Sequence, residues 1–140
     1  MSWKNPSDDI VRELLESSKT IAVVGCSPKP DRTSHQIAAA MQARGYRIIP
    51  VHPSGGEILG ETVYSSLEEI PKETKVDIVD VFRRSEDTLP AAQGAVAIGA
   101  RALWLQQGVV NEEAHRIATD AGLISIMDAC IAVWHRMLLS

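Results

Sequence analysis

Aromatic side chains are scarce in this chain. It has one Phe, two Tyr and three Trp among 140 residues. A core of this size must then be built from aliphatic and alanine side chains, and small side chains let helices lie close to a sheet. Charge of one sign is not concentrated anywhere, and the net charge is −4. A nucleic-acid surface would need a basic patch, so that class of partner is excluded. No apolar run reaches the length of a membrane span, and the opening MSWKNPSDDI lacks the apolar centre of a signal peptide. The expected location is cytoplasmic. The two cysteines, Cys26 and Cys130, have neither CxxC spacing nor a framework. They are expected to be reduced structural thiols, a redox pair only if the fold brings them together. The histidines at 35, 52, 115 and 135 show no HxxxH spacing, so no metal site is expected.

Hydrophobic residues make up 45% of the chain, enough for one buried core, and no repeat or linker divides it. Residues 1–140 are expected to form a single domain. Apolar runs and helical patterns alternate along it. SDDIVRELLESS (7–18) reads as a helix capped by Ser7, with Ile10, Val11, Leu14 and Leu15 as its apolar stripe. Residues 20–25 read as the first strand, buried on both faces because its apolar run is unbroken. Pro28 and Pro30 keep the next loop out of helix. A helix over roughly 34–44 follows, capped by Thr33 or Ser34.

YRIIPV (46–51) is the second strand, with Pro50 unable to donate to a ladder. A loop with Gly55 and Gly56 leads to a short helix near 65–70. VDIVDVF (76–82) is the third strand, and its Asp80 reads as a carboxylate capping a loop at the sheet end. A helix to about Ile98 follows, with Pro90 in its first turn. RALWL (101–105) is the fourth strand, Asn111 caps the next helix, and LISIM (123–127) is the fifth strand. The apolar tail 128–140 is expected to close the chain as a helix.

Strands followed by helical crossovers give an open, doubly wound, Rossmann-like α/β fold. Five parallel strands are expected in the order 3-2-1-4-5, with helices on both faces. Ligands of such sheets bind outside the carboxyl ends of the strands, beside the first one. The loops there carry Lys29, Arg32, Arg83 and Arg84, the hydroxyls of Ser27, Thr33 and Ser34, the amides of Gln106 and Gln107, and Phe82. Cations, hydroxyls and a helix N-terminus together suit an elongated anion bearing phosphates.

A nicotinamide or flavin dinucleotide would need GxGxxG after the first strand and an acid after the second. Only Gly25 of those glycines is present, Ser27 stands at the second position, and the second strand ends in Val51-His52-Pro53. Neither GxxxxGK[ST] nor GxSxG occurs. A thiol chemistry based on Cys26, with its pKa lowered by nearby cations and a helix N-terminus, is an alternative to the simpler reading, a small residue filling the turn. His35 as a base is another.

The blocks TIAVVGCSPKPDRTSHQIA, GYRIIPVHP, EILGETVYSSLEEIP, VDIVDVFRRSED, GARALWLQQGV and MDAC follow one another along the chain. In this order they resemble the small, stand-alone CoA-binding domain proteins. These are similar to the CoA-binding domain of the succinyl-CoA synthetase alpha subunit. The resemblance covers roughly residues 8–130, and VFRRSE and LWLQ are its most specific parts. It implies coenzyme A or an acyl-CoA as the ligand. The nucleotide phosphates would meet the loop after Gly25 and Cys26, at Ser27, Pro28, Lys29 and Pro30, with Arg32 and the helix opening at Ser34 and His35. Val51, His52 and Pro53 would flank the adenosine end. Phe82 and Arg83 match the aromatic-basic pair after the third strand, and Gln106 and Gln107 the loop that approaches the pantetheine.

The synthetase reaction is not expected to transfer, because its phosphorylated histidine belongs to a further domain. After Cys130 the tail IAVWHRMLLS is more apolar than that family's pattern, with Cys130 and His135 matching and Ile131, Ala132 and Trp134 not. The expected function is binding without catalysis, as carrier, sensor or subunit, with a homodimer or protein partner through the tail. The alternative is a small enzyme using NAD(P) or a CoA thioester, with Cys26 or His35 reacting.

Overall fold

The computed structural model describes residues 3–139. Helix α1 (Asp8–Ser17) begins where Ser7 Oγ accepts a hydrogen bond from the Ile10 amide. It buries Val11, Leu14 and Leu15. Ile10, expected in the same stripe, turns out to solvent and is 47% exposed. Strand β1 (Thr20–Val24) follows, buried on both faces, then α2 (Thr33–Ala43) and β2 (Arg47–Val51).

Between β2 and the next long strand the sequence reading foresaw only a loop and a short helix. The structure places there a small antiparallel hairpin, β3 (Glu57–Ile58) with β4 (Glu61–Thr62). A single 3-10 turn at Leu67–Glu69 takes the place of the short helix. Strand β5 (Ile78–Val81), a second 3-10 turn at Ser85–Asp87, α3 (Leu89–Ala97), β6 (Ala102–Leu105), α4 (Glu112–Asp120), β7 (Ile124–Ile126) and α5 (Ile131–Leu139) complete the chain. No helix among the described residues is long and apolar enough to cross a membrane.

The five long strands form one parallel sheet, as expected for a doubly wound α/β domain. Their order is β2-β1-β5-β6-β7. In the count of long strands that is 2-1-3-4-5, which corrects the expected 3-2-1-4-5. The strand at 78–81 lies directly against β1, Val24 opposite Val81, rather than outside β2.

Pro50 supplies the physical reason. It pairs with Val23 in register, and its carbonyl turns outward to accept from Tyr64 N at 3.1 Å. A residue's N–H and C=O point to the same side of a parallel ladder. The donor that Pro50 lacks would therefore have served an outer neighbour, and β2 is confined to the sheet edge. A one-residue bridge, Val51 to Tyr64, lies along that edge.

Two apolar layers sandwich the sheet. On one side α1, α2 and α5 bury Leu14, Met41 and Ile131 against Ile21, Ile48, Ile78 and Trp104. On the other, α3, α4 and the 67–69 turn cover Ala22, Ile49, Val79 and Leu103. The α3 face is almost all alanine and glycine. A Cβ on Gly94 would come within 2.9 Å of Leu67 Cδ1, so an alanine there would require the Leu67 side chain to shift. The sheet's winding reverses between β1 and β5, and the crevice of the fold opens there.

Candidate functional site

The loop after β1 starts at Gly25, whose amide donates to Val51 O at 2.8 Å and whose φ is +83°. A Cβ there would collide with the Phe82 carbonyl oxygen. Glycine is thus required twice, by its backbone conformation and by the closeness of the β5 end. Cys26, next along, points into the core and is fully buried.

Two side chains of α2 then hold the loop. Ser34 Oγ accepts from Ser27 N at 2.9 Å. His35 Nδ1 lies 2.9 Å from the Ser27 carbonyl, which can only accept, so Nδ1 carries the proton. Lys29 N donates to Ser27 Oγ at 3.1 Å. Neither Thr33 nor Ser34 caps the helix as the sequence suggested. Arg32 occupies the cap position without a side-chain bond.

The consequence is a row of free donors. The first in-helix bond runs from Gln36 N to Arg32 O at 3.1 Å. The amides of Thr33, Ser34 and His35 precede it and have no acceptor among the described residues. Thr33 and Ser34 line a cleft of about 560 Å³ together with Gly25, Ser27, Pro28, Lys29, Arg32 and His52. Lys29 and Arg32 are exposed and make no ion pair among the described residues. Free N–H groups at the positive end of a helix, flanked by unpaired cations, make an anion seat.

His52 extends it. Its Nδ1 accepts from Ser54 N at 3.0 Å, so the neutral ring presents Nε2–H. Burial, and secondarily the charge of Arg83, hold its pKa below the ordinary value.

Phe82 and Thr33 belong also to a second cleft of about 450 Å³, together with Ile37, Gln106, Val109 and Cys130. This one is largely apolar. Arg83 reaches both it and a third cleft of about 380 Å³ on the other side of β5, between Val51, Ser65, Ser66 and Ala91. With Thr33, Phe82 and Arg83 as shared walls, the three clefts together make up a groove across the carboxyl ends of β2, β1, β5 and β6. Because β5 is central, Phe82 and Arg83 stand at the reversal point itself, and Gln106 lies one strand further out.

Of the residues singled out from the sequence, Gly25, Ser27, Pro28, Lys29, Arg32, Ser34, His52, Phe82, Arg83, Gln106, Gln107 and Val51 line this groove. His35 supports it from behind. Pro30 and Pro53 are exposed and wall none of the three clefts. Arg84 is turned to Asp87, 3.1 Å away, and is not a free cation.

The alternative reading of Cys26 and the expectation for Asp80 are both set aside. Burial first, and the Asp80 charge second, push the Cys26 thiol up to about 11. A core thiol with a raised pKa is the opposite of an activated nucleophile. Asp80 does not cap a loop: it sits in β5 between Val23 and Trp104, 1% exposed, and pairs with the Gln106 side chain. Burial raises it to about 8, opposed by the bond from Gln106. Cys26 and Cys130 are both free thiols. Among the described residues no His, Cys, Asp and Glu side chains gather as a metal-ligand set.

The sequence reading missed Ser65 and Ser66 as walls of the groove and had Val109 and Cys130 only as members of the loops at that end. The first two are brought in by the 67–69 turn. Cys130 comes in because Ala129 N and Trp104 Nε1 tie the start of α5 to the β6 end, the latter at 2.8 Å to Ala129 O.

Residues 19–136 match the family model described as the CoA binding domain. The chain is 49% identical over 132 residues to the Bacillus subtilis (strain 168) protein described as "Uncharacterized protein YneT", spanning 94% of this chain and 96% of that one. It superposes on the structure of a hypothetical protein from Pyrococcus horikoshii OT3 with a TM-score of 0.91 and 35% identity, covering 100% of both chains. It also shares its fold with part of the dinucleotide forming acetyl-coenzyme A synthetase 1 of Ca. Korarchaeum cryptofilum. The TM-score there is 0.70 at 23% identity, over 85% of this chain and 27% of that one. The chain belongs to the CoA-binding domain family.

Proposed function

We propose that this member of the CoA-binding domain family holds coenzyme A or an acyl-CoA in the groove at the carboxyl ends of its strands, and that it acts by binding rather than by catalysis. The observation that carries this reading is the opening of α2. Uncapped amides of Thr33 and Ser34 stand at a cleft whose cations Lys29 and Arg32 have no acidic partner among the described residues. Such a seat suits the ligand's phosphates. The neighbouring cleft, walled by Ile37, Phe82 and Val109, suits the pantetheine arm, which is mostly apolar.

The reading against catalysis rests on the two candidate groups. Cys26 is a core thiol with its pKa at about 11. His35 spends its Nδ1 proton on the Ser27 carbonyl as a loop support. The subunit form of the proposal draws on Met137 of α5 and Ile10 of α1, large apolar side chains exposed at 62% and 47%.

Thermal unfolding with saturating CoA, acetyl-CoA, NAD and NADP tests the binding, since a ligand of the native state raises the midpoint by mass action. CoA and acetyl-CoA should raise it and NAD should not. Stabilisation by NAD alone would refute the reading. Thioester turnover that disappears in Cys26→Ala would refute its non-catalytic part.

A further inference from the structure

The last helix, α5, is held by a contact that only the neutral form of a histidine can make. His135 lies in the middle of that helix and is 9% exposed. Its Nδ1 stands 3.0 Å from Nη1 of Arg44, the residue that caps the C-terminus of α2. A guanidinium only donates, so Nδ1 is the acceptor and the ring carries its proton on Nε2. Tyr46, just before β2, meets the same ring edge-on with the centroids 5.7 Å apart. Tyr46 Oη donates in turn to the Leu15 carbonyl of α1. One imidazole thus joins α5 to the end of α2, to the start of β2 and, through Tyr46, to α1.

A second proton on the ring removes this bond and replaces it with repulsion. An imidazolium has no lone pair at Nδ1, and its charge would lie beside a guanidinium. The surrounding groups give little relief. A cleft of about 250 Å³ at the junction is lined by Glu16 of α1, Lys19 after it, Arg44, Tyr46 and His135 itself. Glu16, the one acid among these, is exposed and makes no ion pair among the described residues. Arg12 of α1, already paired with Asp9, donates its Nε–H to Leu138 O at 3.2 Å, and Arg136 follows His135 on α5 itself. Burial first, and the charge of Arg44 second, hold the His135 pKa below its ordinary value.

We propose that His135 is an acid-sensitive latch: neutral, it pins α5 to Arg44, and on taking up a proton it lets the helix loosen from α1 and α2. Cys130, which walls the apolar cleft, directly precedes α5, so the same proton slackens that end of the groove. The latch does not depend on what the groove binds.

Its sign is definite. A released His135 takes up its proton below about 6.5, whereas the latched ring does so only at lower pH. The latch is complete above that pH and weakens as pH falls. The ratio of latched to released helix drops by up to about tenfold per pH unit.

Backbone hydrogen exchange of residues 131–139, read by mass spectrometry at pH 7.5 and pH 5, tests this. Exchange of α3, which carries no histidine, is the reference within each sample and reports the integrity of the fold. The ratio of the two removes the intrinsic pH dependence of exchange. Relative to α3, α5 should exchange about tenfold faster at pH 5 than at pH 7.5. In His135→Asn, whose Oδ1 takes the place of Nδ1 as acceptor and does not titrate, the ratio should be the same at both pH values. Arg44→Gln, which keeps a donor without the charge, should show a smaller acid effect than the unaltered chain. Cys130 should react faster at pH 5 in the unaltered protein than in His135→Asn with 4,4′-dithiodipyridine, a thiol reagent that works in acid. The inference is wrong if the α5 ratio does not change with pH, or if the change persists in full in His135→Asn or Arg44→Gln. Equal labelling of Cys130 in the two proteins at pH 5 would overturn the link to the groove.

Discussion

Gly25 and Phe82 meet backbone to backbone at the point where the sheet's winding reverses. Phe82 N donates to Val24 O at 2.8 Å, and its carbonyl occupies the space a Cβ on Gly25 would need. The loop that carries the free amides of α2 and the loop that carries Arg83 are set against each other by this contact. The geometry of the groove follows from it.

Gly25→Ala should accordingly disturb both stability and site. The substituted residue must adopt φ near +83° and push the Phe82 carbonyl aside. A cost of about 2–4 kcal/mol is expected, since positive φ and overpacking add. Urea unfolding measures it. A change below about 0.5 kcal/mol, the range of ordinary surface substitutions, would mean that the two loops move apart freely.

Arg32→Ala and Arg83→Ala should weaken CoA binding without touching stability. Neither residue makes an ion pair among the described residues. A charge-assisted bond to phosphate is worth about 1.5–3 kcal/mol, so about tenfold or more in affinity should be lost. Arg84→Ala should change affinity far less, because that guanidinium already faces Asp87. Equal losses in Arg83→Ala and Arg84→Ala would contradict this assignment.

Thiol labelling should separate the two cysteines. Cys26 is fully buried with its thiol at about 11, whereas Cys130 is only partly buried at the groove wall. At pH 8 the native protein should take up reagent at Cys130 alone, and Cys26 should react only on unfolding. CoA should slow the Cys130 reaction. Rapid native labelling of Cys26 would overturn its placement in the core.

Asp80 also predicts how stability depends on pH. Its folded pKa is raised to about 8 from an ordinary 3.8. Between these values the folded state retains a proton that the unfolded state has released. Stability from this group is thus greatest below the unfolded pKa and falls as pH rises toward 8, by on the order of 1.4 kcal/mol per pH unit within the window. Asp80→Asn should flatten that slope. Denaturant midpoints from pH 5 to 8 measure it, and a wild-type slope identical to the variant's would show that Asp80 ionises in the folded protein as freely as in water.

Much of this was legible in the residues, and the failures have physical causes. Unbroken apolar runs between capped helices gave the parallel sheet, because burial on both faces leaves no room for alternation. The loop residues of the site could be counted because ligands of such sheets lie at the carboxyl ends of the strands. The strand order was misread, although Pro50 carried the information: a strand that lacks one donor belongs at an edge. Periodicity shows which residues form strands and is silent on which strands are neighbours.

The hairpin at 57–62 was missed because two-residue strands leave no periodic trace. Asp80 was misplaced because an acid in an apolar run ordinarily marks a loop. Its partner Gln106 lies 26 residues away, and only the fold brings them together. Cys26 was read by its sequence neighbours Gly25 and Ser27, yet its side chain points into the core between them.

The central claim is that the amides opening α2 and the cations around them hold the phosphates of coenzyme A. Calorimetric titration of the unaltered protein with CoA, beside NAD under the same conditions, tests it most directly. One CoA per chain should bind with measurable heat, and NAD should give none. Heat from NAD and silence with CoA would contradict the account.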